Sequence, residues 1–104
     1  MAPVMLYITA STADEAKRIG RALVEERLAA CANVLPGVTS IYRWQGKVEE
    51  ASEASLILKS TDDKVEQVVA RVKALHSYSC PCVVALAVAG GNADFLEWIV
   101  QETT

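Results

Sequence analysis

The most reactive side chains of this sequence lie in one short segment, Leu75-His76-Ser77-Tyr78-Ser79-Cys80-Pro81-Cys82. It contains the only histidine of the 104-residue chain and two of its three cysteines. Imidazole and thiolate groups select Cu(I) or Zn(II), and the Cys-x-Cys spacing puts both sulfurs on one side of an extended segment. The segment therefore predicts a soft-metal site formed by His76, Cys80 and Cys82.

The alternative for these three residues is a structural role. Cys80 and Cys82 would then be small buried residues at the start of a strand, and His76 would form a hydrogen bond at a helix end. A lone Cys-x-Cys is a weak motif, so the sequence leaves both interpretations open. The third cysteine, Cys31, begins an internal strand, where packing is expected in preference to ligation or redox chemistry.

A helix and a strand position the reactive segment. Residues 83–88 after it form a continuous apolar run that indicates a buried strand, and apolar residues before it repeat at helical spacing. His76 falls four residues after Val72, so we expect it on the inner side of the helix C-terminus. The helical stripe comprises Val65, Val68, Val69, Val72 and Leu75.

The first part of the chain predicts a strand, a helix and a second strand. Residues 4–9 form an apolar run that is typical of a central strand. Thr12 and Glu15 have the spacing of a capping box and open an amphipathic helix. This helix is expected to fade near residues 28–30, and the second strand begins at Cys31. The apolar face of the helix comprises Ala16, Ile19, Gly20, Leu23 and Val24.

A long hairpin follows. Pro36-Gly37 interrupts the second strand with a bulge or bend, and Gln45-Gly46 predicts the turn into a returning strand over residues 47–60. Such a hairpin overhangs a small sheet and exposes Tyr42 and Trp44, which favours an oligomer that covers them. Glu49, Glu50 and Glu53 indicate a solubilising face on the returning strand.

Two split βαβ halves, residues 4–44 and 47–88, define the expected fold. It is an α+β, ferredoxin-like sandwich with a four-stranded antiparallel sheet, a long β2–β3 hairpin and an extra C-terminal helix. Thr61 is expected to cap the second helix. The closing helix is expected to pack through Phe95, Leu96, Trp98, Ile99 and Val100. A length of 104 residues fits a single domain, residues 1–104.

Composition argues against several classes of function. The formal net charge is −3 and no run of Lys and Arg occurs, so nucleic acid is not an expected partner. The apolar runs are far shorter than the roughly 20 residues of a membrane-spanning helix, so no membrane partner is expected. Free cysteines favour a reducing compartment, which predicts a cytoplasmic protein. A single histidine offers no Ser/His/Asp set, so we do not expect an enzyme.

A series of motifs runs through the chain in a fixed order. They are Leu28-Ala29-Ala30-Cys31-Ala32-Asn33, Pro36-Gly37, Ser40-Ile41-Tyr42, Trp44-Gln45-Gly46-Lys47, Leu58-Lys59-Ser60, His76, Tyr78, Pro81, Gly91-Asn92 and Leu96-Glu97-Trp98-Ile99. Together they resemble the CutA family of divalent-cation tolerance proteins over nearly the whole chain. The resemblance implies a tight homotrimer, similar in architecture to the PII signal proteins, and a role in tolerance of copper and other divalent cations.

The resemblance also suggests where functional residues lie. Lys59, Tyr78 and Trp44 correspond to positions near protomer boundaries in the family. We therefore assign Cys31, Lys59 and Tyr78 to an intersubunit cleft, and Tyr42 and Trp44 to the trimer interface.

The chain differs from the family in the reactive segment and in the first strand. Cys82 replaces the familiar acid before the last strand, and Ile8 lies where members credited with metal binding can carry a cysteine, whereas His76 matches directly. The leading hypothesis is a trimeric tolerance protein that binds copper or another divalent cation. The alternatives are a PII-like signalling module whose clefts take a small anion beside Lys59 and Tyr78, and a trimeric scaffold.

Overall fold

The computed structural model describes all 104 residues and arranges them as a four-stranded antiparallel sheet with three α-helices. The strand order is β2-β3-β1-β4, so β1 is central, as expected. The expected α+β, split βαβ topology is confirmed. The elements are β1 (Pro3–Ala10), α1 (Ala13–Glu25), β2 (Cys31–Trp44), β3 (Lys47–Thr61), a 3₁₀ turn (Asp62–Lys64), α2 (Val65–Leu75), β4 (Val83–Ala87) and α3 (Ala93–Glu102).

The core lies between one face of the sheet and helices α1 and α2. Alternate residues of β1 are buried there because successive side chains of a strand point to opposite faces. Gly20 lets α1 approach closely, since a Cβ at this position would lie 3.0 Å from the side chains of Ala32 and Leu56. The buried cluster includes Val4, Leu6, Ile8, Ala10, Ala16, Ile19, Leu23, Leu56, Leu58, Val68 and Val72.

The hairpin forms as the sequence predicts. Pairing between β2 and β3 shifts register between Leu35 and Val38, and Gly37 adopts a φ of 74° at this bulge. At the tip, Gln45 and Gly46 both have positive φ angles, 49° and 81°, as a two-residue type I′ turn requires. Local turn chemistry therefore fixes the register of the hairpin.

The outer part of the hairpin has no further strand beside it. Pairing of β1 with β3 stops at Ala10 and Ala54, and beyond this point β2 and β3 pair only with each other. The exposed fractions of Ile41 and Val48 are 68% and 65%. The hairpin thus carries large apolar side chains into solvent on both of its strands.

The last strand differs from the sequence-based expectation. The prediction that residues 83–88 form a buried strand was wrong, because β4 is an edge strand that pairs only with β1. Val84 and Leu86 are about half exposed. They lie opposite Tyr7 and Met5, on the sheet face that α1 and α2 do not cover.

Three helix details also differ. α1 ends at Glu25 and does not continue to residues 28–30, and Arg27 has a φ of 60° in the turn that follows. Thr61 makes no capping bond through its side chain, and a 3₁₀ turn precedes α2. In α3, Ile99 is buried, but the rings of Phe95 and Trp98 pair with each other at the surface. None of the helices combines the length and apolar character needed to cross a membrane.

Candidate functional site

His76 lies at the C-terminal cap of α2, and both of its ring nitrogens are occupied. Nε2 is 2.8 Å from the carbonyl oxygen of Thr9, and the backbone N–H of Tyr78 donates to Nδ1 at 3.0 Å. An imidazole that accepts at Nδ1 and donates from Nε2 is neutral. His76 therefore fastens the α2–β4 loop to β1, and it would have to release the Tyr78 N–H before Nδ1 could bind a metal ion.

Glu15 fastens the same loop to the start of α1. The N–H and hydroxyl of Ser11 donate to Oε1 at 3.0 and 2.8 Å, and the N–H of Ser77 donates to Oε2 at 2.8 Å. Burial alone would raise the pKa of Glu15, but the hydrogen bonds from Ser77 and Ser11 outweigh it and lower the pKa to about 2. The Thr12 hydroxyl accepts from the Glu15 N–H, as the capping box predicts. The Glu15 carboxylate accepts from Ser11 and Ser77 and not from the backbone N–H of Thr12.

Tyr78 connects the loop to the hairpin. Its ring centroid is 4.6 Å from that of His76, and its hydroxyl donates to Oε2 of Glu53 at 2.7 Å. Burial raises the pKa of Tyr78 above its ordinary value, and the hydrogen bond to Glu53 and its negative charge add to the effect. The phenol is therefore neutral and acts as a fixed donor to the carboxylate.

The two cysteines of the loop are free and exposed. Cys82 Sγ is 4.0 Å from the carbonyl oxygen of Tyr7, at the edge of the sheet. Desolvation of its thiol by neighbouring atoms raises the pKa of Cys82, and the charge of Glu53 raises it further. The structure brings no three His, Cys, Asp or Glu side chains into an arrangement that could hold a metal ion. A site combining His76, Cys80 and Cys82 therefore needs a rearrangement of the loop and stays a prediction.

A cleft of about 300 Å³ lies between the hairpin and the α2–β4 loop. It is lined by Tyr42, Trp44, Glu53, Tyr78, Ser79 and Cys80. The exposed fractions of Tyr42 and Trp44 are 43% and 51%, so both rings are accessible in this chain. The structure thus places the two predicted interface residues beside Tyr78, which was assigned to a cleft.

Sequence reasoning missed Glu53, which it placed on a solubilising face. The signal was present in the strand register, because Glu53 lies opposite Val38 and Val38 shares a face with Tyr42 and Trp44. That register depends on the bulge at Pro36-Gly37, which the sequence located without fixing its size. The carboxylate is therefore part of the cleft.

The remaining predicted cleft residues lie elsewhere in the chain. Cys31 is half-buried and lines a separate, shallow cleft of about 400 Å³ between α1 and β2. Lys59 lies directly opposite Cys31, and its ammonium group donates a hydrogen bond to the side chain of Asn33. Within one chain, Cys31 and Lys59 are therefore adjacent, but they do not share a cleft with Tyr78.

The fold and the site together define a class: split βαβ, ferredoxin-like proteins with a long protruding hairpin and a helix after the last strand. Comparison with known proteins identifies the family. The CutA1 divalent ion tolerance protein model matches residues 4–102, and the chain belongs to this family.

Relatives and solved structures agree with this assignment. A divalent-cation tolerance protein CutA from Thermus thermophilus is 48% identical, over 95% of this chain and 96% of the relative. Its namesake from Archaeoglobus fulgidus is 44% identical, over 90% and 91%. A chloroplastic CutA 1 protein from Oryza sativa is 38% identical over 96% of this chain, which spans only 56% of that relative's length.

The likeness extends to the three-dimensional structure. The solved structure of the Thermus thermophilus divalent cation tolerance protein covers 98% of this chain and 99% of its own, with a TM-score of 0.96 at 47% identity. That of the periplasmic divalent cation tolerance protein from Archaeoglobus fulgidus covers the same shares, with a TM-score of 0.95 at 40% identity. The expected family and its fold are confirmed.

Proposed function

We propose that this protein acts in divalent-cation tolerance as a homotrimer that binds copper, as Cu(I), or a divalent cation. The bacterial and archaeal relatives that match nearly the whole chain are named divalent-cation tolerance proteins. The proposal includes a cytoplasmic location, where the three free cysteines stay reduced, and no catalytic activity.

The observation that carries metal binding is the exposure of two free thiols, Cys80 and Cys82, in one loop. Two thiols at this spacing suit a soft cation such as Cu(I). Because the pKa of Cys82 is raised, a metal ion must displace its proton, and affinity should increase with pH. His76 would join only by giving up one of its two hydrogen bonds, to Tyr78 at Nδ1 or to Thr9 at Nε2.

The test is an anaerobic Cu(I) competition titration on fully reduced protein. We expect wild type to bind about one Cu(I) per chain, and Cys80→Ser/Cys82→Ser to lose this binding because the hydroxyl is a poor ligand for Cu(I). Cys31→Ser is the matched control, since it removes a thiol from a different cleft. Equal binding by wild type and the double variant would contradict the proposal. A further variant, His76→Gln, tests whether the histidine contributes.

The outer part of the hairpin, which has no further strand beside it, supports the proposal of a homotrimer. Two paired strands without a neighbour expose backbone groups and large side chains, which a second subunit would cover. Analytical ultracentrifugation should give three times the chain mass of 11.2 kDa. A monomer at micromolar concentration would contradict this part of the proposal without affecting metal binding.

The alternative is a PII-like module that binds a small molecule, and the cleft beside Tyr78 favours it. A volume of about 300 Å³ is at the lower end of the range for small-molecule sites. Ligand-induced thermal stabilisation that persists in the presence of a chelator would support this function over metal binding. A trimeric scaffold would show neither copper binding nor such stabilisation.

A further inference from the structure

The hairpin leaves the sheet at one point. Pairing of β1 with β3 ends at Ala10 and Ala54, so Glu53 is the first residue of β3 without a partner on β1. Glu53 pairs instead with Val38, the first paired residue of β2 after the bulge. The outer hairpin, residues 38–53, therefore extends from a hinge at Ala54, where β1 no longer supports it.

One side-chain hydrogen bond connects the outer hairpin to the rest of the chain. The hydroxyl of Tyr78 donates to Oε2 of Glu53 at 2.7 Å, and no other side-chain hydrogen bond or ion pair leaves residues 38–53. Tyr78 is held in turn, because its N–H donates to Nδ1 of His76, and Nε2 of His76 lies 2.8 Å from the carbonyl oxygen of Thr9 on β1. These contacts form a continuous path from β1 through the α2–β4 loop to the hinge.

From this path we infer that Tyr78 is a positioning residue for assembly: its hydroxyl sets the direction of the outer hairpin in the single chain, before a second copy of the chain covers that hairpin. The inference rests on the homotrimer proposed above and goes beyond it by naming the group that prepares the hairpin. It does not involve metal binding. All of the contacts that carry it lie within one chain.

A small rotation at the hinge is large at the tip. Lys47 is six residues from Glu53 on β3, so the tip lies about 20 Å from the hinge at about 3.4 Å per residue. A rotation of about 15° would displace the tip by about 5 Å, which is about the spacing of two paired strands. Tyr42 and Trp44, the predicted interface residues, lie on this outer part of β2 and would move with it.

The bond should therefore affect association more than folding. A hydrogen bond to a carboxylate can change the population of the aligned hairpin by about tenfold. Chains assemble only from the aligned state, so the apparent association falls with the aligned fraction. Folding of the single chain depends on the buried core, which includes neither Tyr78 nor Glu53.

The experiment follows refolding of the full, reduced chain after dilution from guanidinium. Stopped-flow circular dichroism reports first-order folding within the chain, and light scattering reports the association that depends on chain concentration. We expect Tyr78→Phe to slow association at least about tenfold and to change the first-order rate by less than about twofold. The matched control is Tyr7→Phe, which also loses a hydroxyl, one that is hydrogen-bonded to Ser55 where β1 still pairs with β3. It should slow association by less than about twofold.

Substitutions of the acceptor test the bond itself. Glu53→Ala should slow association as much as Tyr78→Phe does, and the double variant should be no slower than either, because all three lack the same bond. Glu53→Gln keeps an oxygen that can accept from Tyr78 and should recover part of the rate. Glu50→Ala is the control for lost charge, since Glu50 is exposed on the same strand but lies opposite Ile41, on the other face of the hairpin. It should leave association unchanged.

Three outcomes would overturn this inference alone, with the wild-type chain still trimeric. They are unchanged association of Tyr78→Phe, equal slowing by the Tyr7 and Tyr78 variants, and additive slowing in the Tyr78 and Glu53 double variant. A wild-type chain that stays monomeric would instead overturn the homotrimer, and this inference with it. Circular dichroism verifies the fold of each variant, and the comparison of Glu53→Ala with Glu53→Gln decides the question if a tyrosine variant is unstable.

Discussion

Replacement of Glu15 by glutamine tests how the α2–β4 loop is held. The carboxylate is 6% exposed and accepts three hydrogen bonds, two from Ser11 and one from the N–H of Ser77. Its pKa falls from 4.5 to about 2 in the folded chain. Such a shift corresponds to about 3 kcal/mol of folding free energy at neutral pH. The amide side chain of the Glu15→Gln variant would keep one acceptor oxygen but present its N–H₂ group to a donor, so the variant should lose about this amount.

The pH dependence gives this prediction its sign. Because the folded pKa is below the unfolded one, the stabilisation by Glu15 is complete above pH 4.5 and disappears as the pH falls towards 2. The difference in unfolding free energy between wild type and Glu15→Gln should therefore be about 3 kcal/mol at pH 7 and shrink below about 1 kcal/mol near pH 2. Asp14→Asn, an exposed change in the same helical turn, should cost no more than about 1 kcal/mol.

The assay is guanidinium denaturation across this pH range at a fixed chain concentration, since the stability of an oligomer depends on concentration. Tyrosine and tryptophan fluorescence should be compared with circular dichroism to verify a single transition. A loss that is equal at pH 7 and pH 3 would refute the reasoning, because it could not come from ionisation of Glu15. No loss at pH 7 would refute it as well.

Substitutions at Gly20 and His76 test the packing of α1 and the anchoring of the α2–β4 loop. Gly20→Ala should destabilise the protein by about 1 kcal/mol because its methyl group crowds the sheet. The control, Gly90→Ala, has nothing within 4 Å of the added Cβ and should change stability by less than about 0.5 kcal/mol. A stabilising effect of Gly20→Ala would contradict the close approach of α1 to the sheet. His76→Phe should cost about 3 kcal/mol because it orphans the Thr9 carbonyl and the Tyr78 N–H. His76→Gln should recover part of this loss in the same denaturation assay, and equal costs for both variants would indicate a purely steric role.

Much of the fold was predictable because its signals are local. The turn at Gln45-Gly46, the bulge at Pro36-Gly37 and the cap at Thr12 each depend on residues within four positions of one another. The stripe of valines in α2 fixed the buried side of that helix, and His76 followed from it. Such features depend on residues close in sequence, so the sequence was sufficient to locate them.

Predictions failed where exposure depends on the position of an element in the sheet. An apolar run predicts a strand, but only the strand order makes β4 an edge strand with Val84 and Leu86 exposed. In the same way, periodicity placed Phe95 and Trp98 among the apolar residues of α3 without showing that they pair with each other at the surface. The hydrophobicity of a side chain shows that its burial would be favourable, but the elements packed around it determine whether it is buried.

The sequence by itself determined the order of strands and helices, the hairpin, and the single loop in which the imidazole and two thiols lie, because composition, periodicity and turn preferences act over a few residues. Only the tertiary structure decided what those groups do. In the folded chain both ring nitrogens of His76 form hydrogen bonds, and the N–H of Ser77 donates to Glu15, 62 positions away. The hydroxyl of Tyr78 donates to Glu53. These contacts join residues distant in sequence, and their geometry follows from how the sheet and helices pack.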